Sequence, residues 1–374
     1  ARGRQPAMAT ATQGRLTKLR RRLQEEELDA LLVSQPQNRR YLSGFTGSAG
    51  YLLITETDAA IATDFRYFEQ AARQAPDFRL HPIASPAFEA WLPSLLSGLG
   101  GKRIGVEAAN LPYAVFQQMA TTLRGLPRSA QPRLVATTDL VEGLRAIKEP
   151  EEIAAIQAAV DLGDEAFGHL MELLEPGWTE QRAAWEVERY MREHGGEAVS
   201  FETIVAGGPR SAMPHAQPRD EPLREGEPVV IDMGVRLDGY CSDLTRTVVL
   251  GKPDGQFQRI YDIVLGAQLA AIELIAAGMT GEEAHLLAHR VIEEAGYGES
   301  FGHGLGHGVG LEVHEKPRLG RGSTDVLVDG MVTSVEPGIY ISGWGGVRIE
   351  DLAVMENGRL RVLSRARKIE QMKA

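Results

Sequence analysis

Val229-Val230-Ile231-Asp232-Met233-Gly234-Val235-Arg236-Leu237-Asp238-Gly239-Tyr240-Cys241-Ser242-Asp243-Leu244 decides how the second half of this 374-residue chain folds. Two apolar runs flank Asp238-Gly239, and Asp-Gly between such runs favours a two-residue turn with positive φ at both positions. With those two residues as the loop, Leu237 pairs with Tyr240, Arg236 with Cys241 and Gly234 with Asp243. Asp232 and Asp243 then project from one face as diagonal neighbours. Asp is disfavoured in strands, and two adjacent carboxylates repel unless protonation, water or a cation intervenes. A slip of one residue would part them.

A second acidic pair repeats the pattern. Glu336 in Val335-Glu336-Pro337-Gly338 and Glu350 in Val347-Arg348-Ile349-Glu350-Asp351 sit on apolar strands joined through Gly343 to Gly346. Any odd-length loop places both on one face. His307 lies in Gly302-His303-Gly304-Leu305-Gly306-His307-Gly308-Val309-Gly310, where five Gly in nine residues exclude a stable helix and let backbone approach a site closely. Four carboxylates and one imidazole suit hard or borderline divalent ions, and four negative charges balance two of them. A two-metal site with a bridging water as nucleophile is the economical reading.

Outward from these motifs, helical spacing runs over 150–174, 179–194, 256–277 and 281–295, with further strands expected at 310–314, 331–341, 347–355 and 360–364. Helices on one antiparallel sheet make this half α+β. The first half alternates strands (30–34, 51–55, 60–63, 103–106) with helices (15–27, 67–74, 113–123), an α/β pattern. Pro-containing stretches over 126–132 and 138–150 mark the boundary, which gives domains 8–140 and 141–374. Ala1 to Ala7, ahead of Met8, read as a remnant of recombinant expression outside the fold.

Residues 1–140 carry 17 Lys and Arg against 12 Asp and Glu, and the remainder 23 against 39, so the acidic half is where cation chemistry is expected. A net charge of −11 argues against nucleic acid. No apolar stretch reaches the roughly 20 residues that cross a bilayer, and a cytoplasmic location is expected. Cys241 is the sole cysteine, which excludes an internal disulfide and any multi-thiolate zinc site. A small buried hydrophobe is its expected role. His81, His169, His194, His285 and His289 lie outside the motifs and read as surface or packing residues.

Asp232, Asp243, His307, Glu336 and Glu350, with their surrounding motifs, resemble the dinuclear metallopeptidases of the pita-bread fold, a group that holds methionine aminopeptidases, aminopeptidase P and prolidase. The opening Asn38-Arg39-Arg40-Tyr41-Leu42-Ser43-Gly44-Phe45 and the linker Leu144 to Glu152 look like the Xaa-Pro-cleaving branch. The resemblance implies an α/β creatinase-like amino-terminal domain followed by an α+β pita-bread catalytic domain. It implies two divalent ions per subunit, manganese favoured over cobalt or zinc, in which Asp232 chelates one ion, His307 and Glu336 hold the other, and Asp243 and Glu350 bridge both.

His215, His303, His314, Tyr340 and Arg348 match the family's substrate-pocket positions, with His215, His314 and Glu336 as catalytic candidates. Arg348 has a competing reading as a structural ion pair near Glu350. Arg318 and Arg40 are rival candidates to hold a dipeptide's carboxylate by a bidentate contact. The implied activity is hydrolysis of the Xaa-Pro bond by a metal-bridging hydroxide, with dipeptides favoured and a homodimer expected. Aminopeptidase P, acting on longer Xaa-Pro peptides, is the alternative. A methionine aminopeptidase lacks the extra amino-terminal domain, and a non-catalytic peptide-binding module would lose metal ligands.

Overall fold

The structure is a computed structural model that describes residues 5–368, and its chain divides into two compact units, one ending at Arg145 and the next beginning at Ala146. Each unit has its own core.

In the amino-terminal unit a six-stranded mixed sheet runs in the order 79–82, 59–63, 51–55, 30–33, 103–107, 133–137. The strands 30–33, 51–55 and 59–63 form an antiparallel meander, and the remaining pairings are parallel. Ala30, Leu32, Leu53, Ala60 and Ala62 pack against Trp91, Leu92, Leu95, Met119 and Leu123 from the helical segments. The outer strands Arg79–Pro82 and Arg133–Thr137 lie outside the sequence expectation. Both are edges with no fully buried residue: Arg79–Pro82 has a single apolar side chain before its proline, and the apolar run of Arg133–Thr137 is only three residues long. Helix Gln5–Glu25 begins ten residues before the helix expected from Arg15, and positions 1–4 lie outside the described residues.

The carboxy-terminal unit is α+β. Helices Pro150–Leu173, Glu180–Glu193, Gly255–Leu274 and Gly281–Glu294 cover short antiparallel ladders. Their starts are set by local chemistry: Thr179 accepts from Arg182 N (3.2 Å), Asp254 from Phe257 N (2.7 Å), and Thr280 with Glu283 closes a capping box. No described helix is long and apolar enough to cross a membrane.

The hairpin at 228–249 adopts the expected register, with Arg236 opposite Cys241, Leu237 opposite Tyr240, and Asp232 opposite Thr245. Asp238 and Gly239 have φ of 46° and 75°, as the turn requires. The expected strand at 310–314 is absent. That stretch bends, and the pairing strands are Gly306–Gly308 and Glu315–Leu319. The apolar alternation of Val309, Leu311 and Val313 suggested a strand, but Gly310 N instead closes a tight local bond to Glu312 O (2.9 Å). The expected 331–341 strand is likewise interrupted, into Val332–Val335 and Gly338–Ile341, because Pro337 offers no N–H to the ladder.

Candidate metal centre

That interruption shapes the site. Val335 pairs with Asp351 and Gly338 with Arg348, so Glu336 and Glu350 occupy the unpaired steps between two ladders of one continuous register. Their backbone amides turn elsewhere: Glu336 N donates to Leu305 O (2.8 Å) and Glu350 N to Thr245 O (3.0 Å). The second bond carries Glu350 to the hairpin that bears Asp232 and Asp243. The first ties Glu336 to the glycine-rich segment that bears His307.

At Gly306 and Gly308 a Cβ would collide with the carbonyls of Ser334 and Lys316, so only glycine lets the strand on either side of His307 lie this close to its neighbours. His307 N donates to Ser334 Oγ (3.0 Å), whose hydroxyl donates to Glu336 Oε1 (2.9 Å). His307 Nε2 lies 3.2 Å from Glu336 and 3.6 Å from Asp243. Its Nδ1 faces Gly308 O at 3.1 Å, which places the donor on Nδ1 and leaves Nε2 toward the acids.

Ligand atoms of Asp243, His307 and Glu350 lie within 4.8 Å of one another. Burial pushes the Asp243 carboxyl well above its usual range, and the charges of Glu350, Asp232 and Glu336 add to it. The Glu350 carboxyl rises by burial and by the charges of Glu336 and Asp232. Burial pulls the His307 imidazole down, yet its hydrogen bond with Glu336 and the nearby charges of Glu336 and Glu350 outweigh this and hold it at about 9. The Asp232 carboxyl is also raised by burial, against the pull of Arg348.

Asp232 Oδ1 and Glu350 Oε1 are buried with no hydrogen-bond partner. Two orphaned carboxylate oxygens beside two further acids and an imidazole form a donor set that fits divalent cations.

The pocket residues form a chain. His303 Nε2 meets Tyr340 OH (2.8 Å), Arg348 Nη1 donates to the same hydroxyl (2.9 Å), and Arg348 Nη2 donates to Asp232 Oδ2 (2.6 Å). The ion pair of Arg348 is thus with Asp232, not Glu350. The ring of His314, an exposed residue, lies 4.2 Å from that of His307, and His215 is close enough to both His303 and His314 to act on their protonation. Arg318 is exposed, and its Nη2 donates to Arg321 O (3.2 Å). Arg40 belongs to the helix Pro36–Ser43 of the other unit, where its neighbour Arg39 is the buried one, donating to the carbonyls of Ser34, Gly47 and Gly50. Cys241 is free and buried.

Two residues that sequence reasoning passed over complete the centre. Thr245 is fully buried, and its hydroxyl donates to Glu350 Oε2 (2.8 Å) and accepts from Arg348 Nε (3.2 Å). Ser334 joins His307 to Glu336. A signal existed for both, because Thr245 stands two residues after Asp243 and Ser334 two before Glu336, the same-face spacing of a strand.

Comparison with known proteins places this geometry. Residues 154–357 match metallopeptidase family M24, and residues 15–147 match the creatinase/prolidase N-terminal domain. The chain is similar to the Xaa-Pro dipeptidase of Pyrococcus furiosus, 36% identical over 95% of this chain and 99% of that protein. Among solved structures, the Xaa-Pro dipeptidase from Bacillus anthracis is 38% identical with a TM-score of 0.92, over 96% of this chain and all of that one. The X-Pro aminopeptidase from Thermotoga maritima is 34% identical with a TM-score of 0.84, over 92% and 98%. The expected architecture, a creatinase-type amino-terminal domain before a pita-bread catalytic domain, is therefore the fold of this chain.

Proposed function

The chain belongs to metallopeptidase family M24, and from that premise we propose that it hydrolyses the Xaa-Pro bond at the amino terminus of peptides, with dipeptides favoured. The observation that carries the reading is the convergence of Asp243, His307 and Glu350 within 4.8 Å beside orphaned oxygens of Asp232 and Glu350. In the proposal Asp232, Asp243, His307, Glu336 and Glu350 hold two divalent ions, manganese first. When bound, the ions would supply Lewis-acid chemistry, lowering the pKa of a water and polarising the scissile carbonyl.

The remaining roles fall to side chains. Glu336 takes the proton of the attacking water and returns it to the leaving proline nitrogen, since its carboxylate borders the centre. His314 donates to the developing oxyanion, and the His303–Tyr340–Arg348 chain forms a firm wall against which a rigid ring lacking N–H packs. His215 faces the same pocket. Arg40 or Arg318 clamps the free carboxylate of a dipeptide. A homodimer in the cytoplasm is part of the same proposal.

The test is a length series on protein stripped by chelator and reloaded with manganese. Ala-Pro should be cleaved at least tenfold faster than Ala-Ala, a discrimination of ~1.4 kcal/mol. Equal rates would make the protein a general dipeptidase. The similarity to an X-Pro aminopeptidase supports a second reading, in which Ala-Pro-Ala and longer peptides outrun Ala-Pro. Arg40→Ala and Arg318→Ala separate the two: a dipeptide clamp lost should depress Ala-Pro at least tenfold and leave Ala-Pro-Ala within a few-fold.

A further inference from the structure

His215 sits in the middle of the segment 207–219, which leaves the strand Ile204–Gly207, makes a short turn at Gly208–Ala212 and has little regular structure after it. A segment of that length needs something to fix its ends. Glu180 supplies it. As the first residue of helix Glu180–Glu193, it belongs to a position where an acid ordinarily faces water and the helix dipole, yet its side chain is only 2% exposed and turned away toward the segment.

Its carboxylate meets both ends of that segment at once. Oε1 accepts from Gly207 N (2.9 Å) at the start, and Oε2 accepts from Arg219 N (2.9 Å) at the finish. Between them Arg210 Nε reaches both oxygens (3.1 and 3.2 Å), and Arg210 Nη2 donates onward to Gln217 O (2.5 Å). Helix and segment are also joined by Gln181 N donating to Arg219 O (3.1 Å). On its inner side Ser211, buried, accepts from Gly346 N (2.8 Å), in the strand that ends at Arg348.

We propose that Glu180 is a positioning residue for substrate binding: its buried carboxylate, with Arg210, ties the two ends of 207–219 together and so fixes His215 over the pocket of His303 and His314. The inference rests on the reading of His215 as a substrate-pocket residue. A charged acceptor serves where a neutral one would not, because three N–H groups from three places converge on it and one belongs to a guanidinium. Gln at 180 keeps the size, removes the charge and replaces one acceptor with a donor.

The experiment has two arms on the full-length protein. Amide exchange of the Glu180→Gln variant without substrate should quicken at least tenfold across 207–219, while the helix 181–193 stays within twofold of the parent. In Ala-Pro hydrolysis with manganese, Glu180→Gln should lower kcat/KM about tenfold, chiefly through KM. Added to His215→Ala, it should cost less than a further twofold. Unchanged exchange in 207–219 overturns the proposal, as does a double variant that loses the product of the two single losses. Should Glu180→Gln loosen the helix as well, Arg210→Gln takes its place, and it must still quicken exchange over 213–219 at least threefold or the clasp is refuted. A parent protein inactive on Ala-Pro would overturn the functional reading instead, leaving the exchange arm to decide whether the clasp exists.

Discussion

Glu107, in the amino-terminal unit, is 6% exposed and its two oxygens accept four hydrogen bonds: Ser34 N (2.6 Å), Ser34 Oγ (2.8 Å), Gln35 N (2.7 Å) and Asn38 Nδ2 (2.7 Å). Glu350, in the carboxy-terminal unit, is 1% exposed, and its Oε1 has no donor, as is true of Asp232 Oδ1. Both carboxylates are buried, but Glu107 has donors on both oxygens, whereas Glu350 and Asp232 each keep one oxygen without a partner. A buried acid saturated by N–H and O–H groups is part of the scaffold. Buried acids that crowd together with oxygens left open are stable only with added positive charge, which a proton gives in part and a divalent cation in full.

The sharpest way to break this contrast is Asp243→Asn. Ala-Pro hydrolysis should fall at least ~1,000-fold, more than 4 kcal/mol of lost transition-state stabilisation, and metal analysis should show at least one ion lost per subunit. The chelated variant should meanwhile unfold no more readily than chelated parent, since one of the repelling buried charges is gone. Full activity in Asp243→Asn would sink the two-ion reading. A parent protein whose activity and unfolding midpoint ignore chelator would do the same, because ions bound only to the folded state must add stability.

Glu107→Gln probes the other side. Replacing one acceptor oxygen with an NH2 group sets a donor against donors already in place, at a cost of about 3 kcal/mol for charge-assisted bonds at a buried site. Urea unfolding of the amino-terminal unit should record that loss equally with and without metal. A destabilisation that manganese reverses would mean Glu107 is not the scaffold carboxylate its four donors make it.

The legibility of the two regions also differs. Around Asp232 and Asp243 the sequence carried its own geometry: Asp238-Gly239 set the turn, the turn set the register, and the register put both acids on one face. Glu336 and Glu350 followed from period-two reasoning, although the break at Pro337 that releases them from the ladder did not. What stayed hidden depends on pairing between distant segments. The 2.6 Å contact of Arg348 with Asp232 spans more than a hundred positions, and nothing local at Lys148 announces its 2.7 Å buried pair with Glu315. Edge strands 79–82 and 133–137 were lost for the opposite reason, because neither buries a residue fully and the apolar stretch in each is too short to read as a strand.

His285 sharpens the contrast from a third direction and with the smallest effect. It is 1% exposed on helix Gly281–Glu294, and neither ring nitrogen has a hydrogen-bond partner, so an orphaned buried polar atom is not by itself a cation site. Burial first, then the neighbouring charges of His289, Arg321 and His303, lower its pKa to about 4 against an opposing pull from Glu282. Because the folded value lies below the unfolded 6.5, the unfolded chain binds the proton more readily across that interval, and stability falls as pH falls through it. Between pH 7 and pH 5 this one group should remove about 2 kcal/mol, nearly all of it below pH 6.5. His285→Phe, which cannot take up a proton and keeps a ring beside Phe301, should flatten that part of the acid limb in urea titrations. An unchanged slope between pH 7 and 5 would show that His285 reaches solvent readily enough to protonate in place, and its orphaned nitrogens would then say nothing about burial at all.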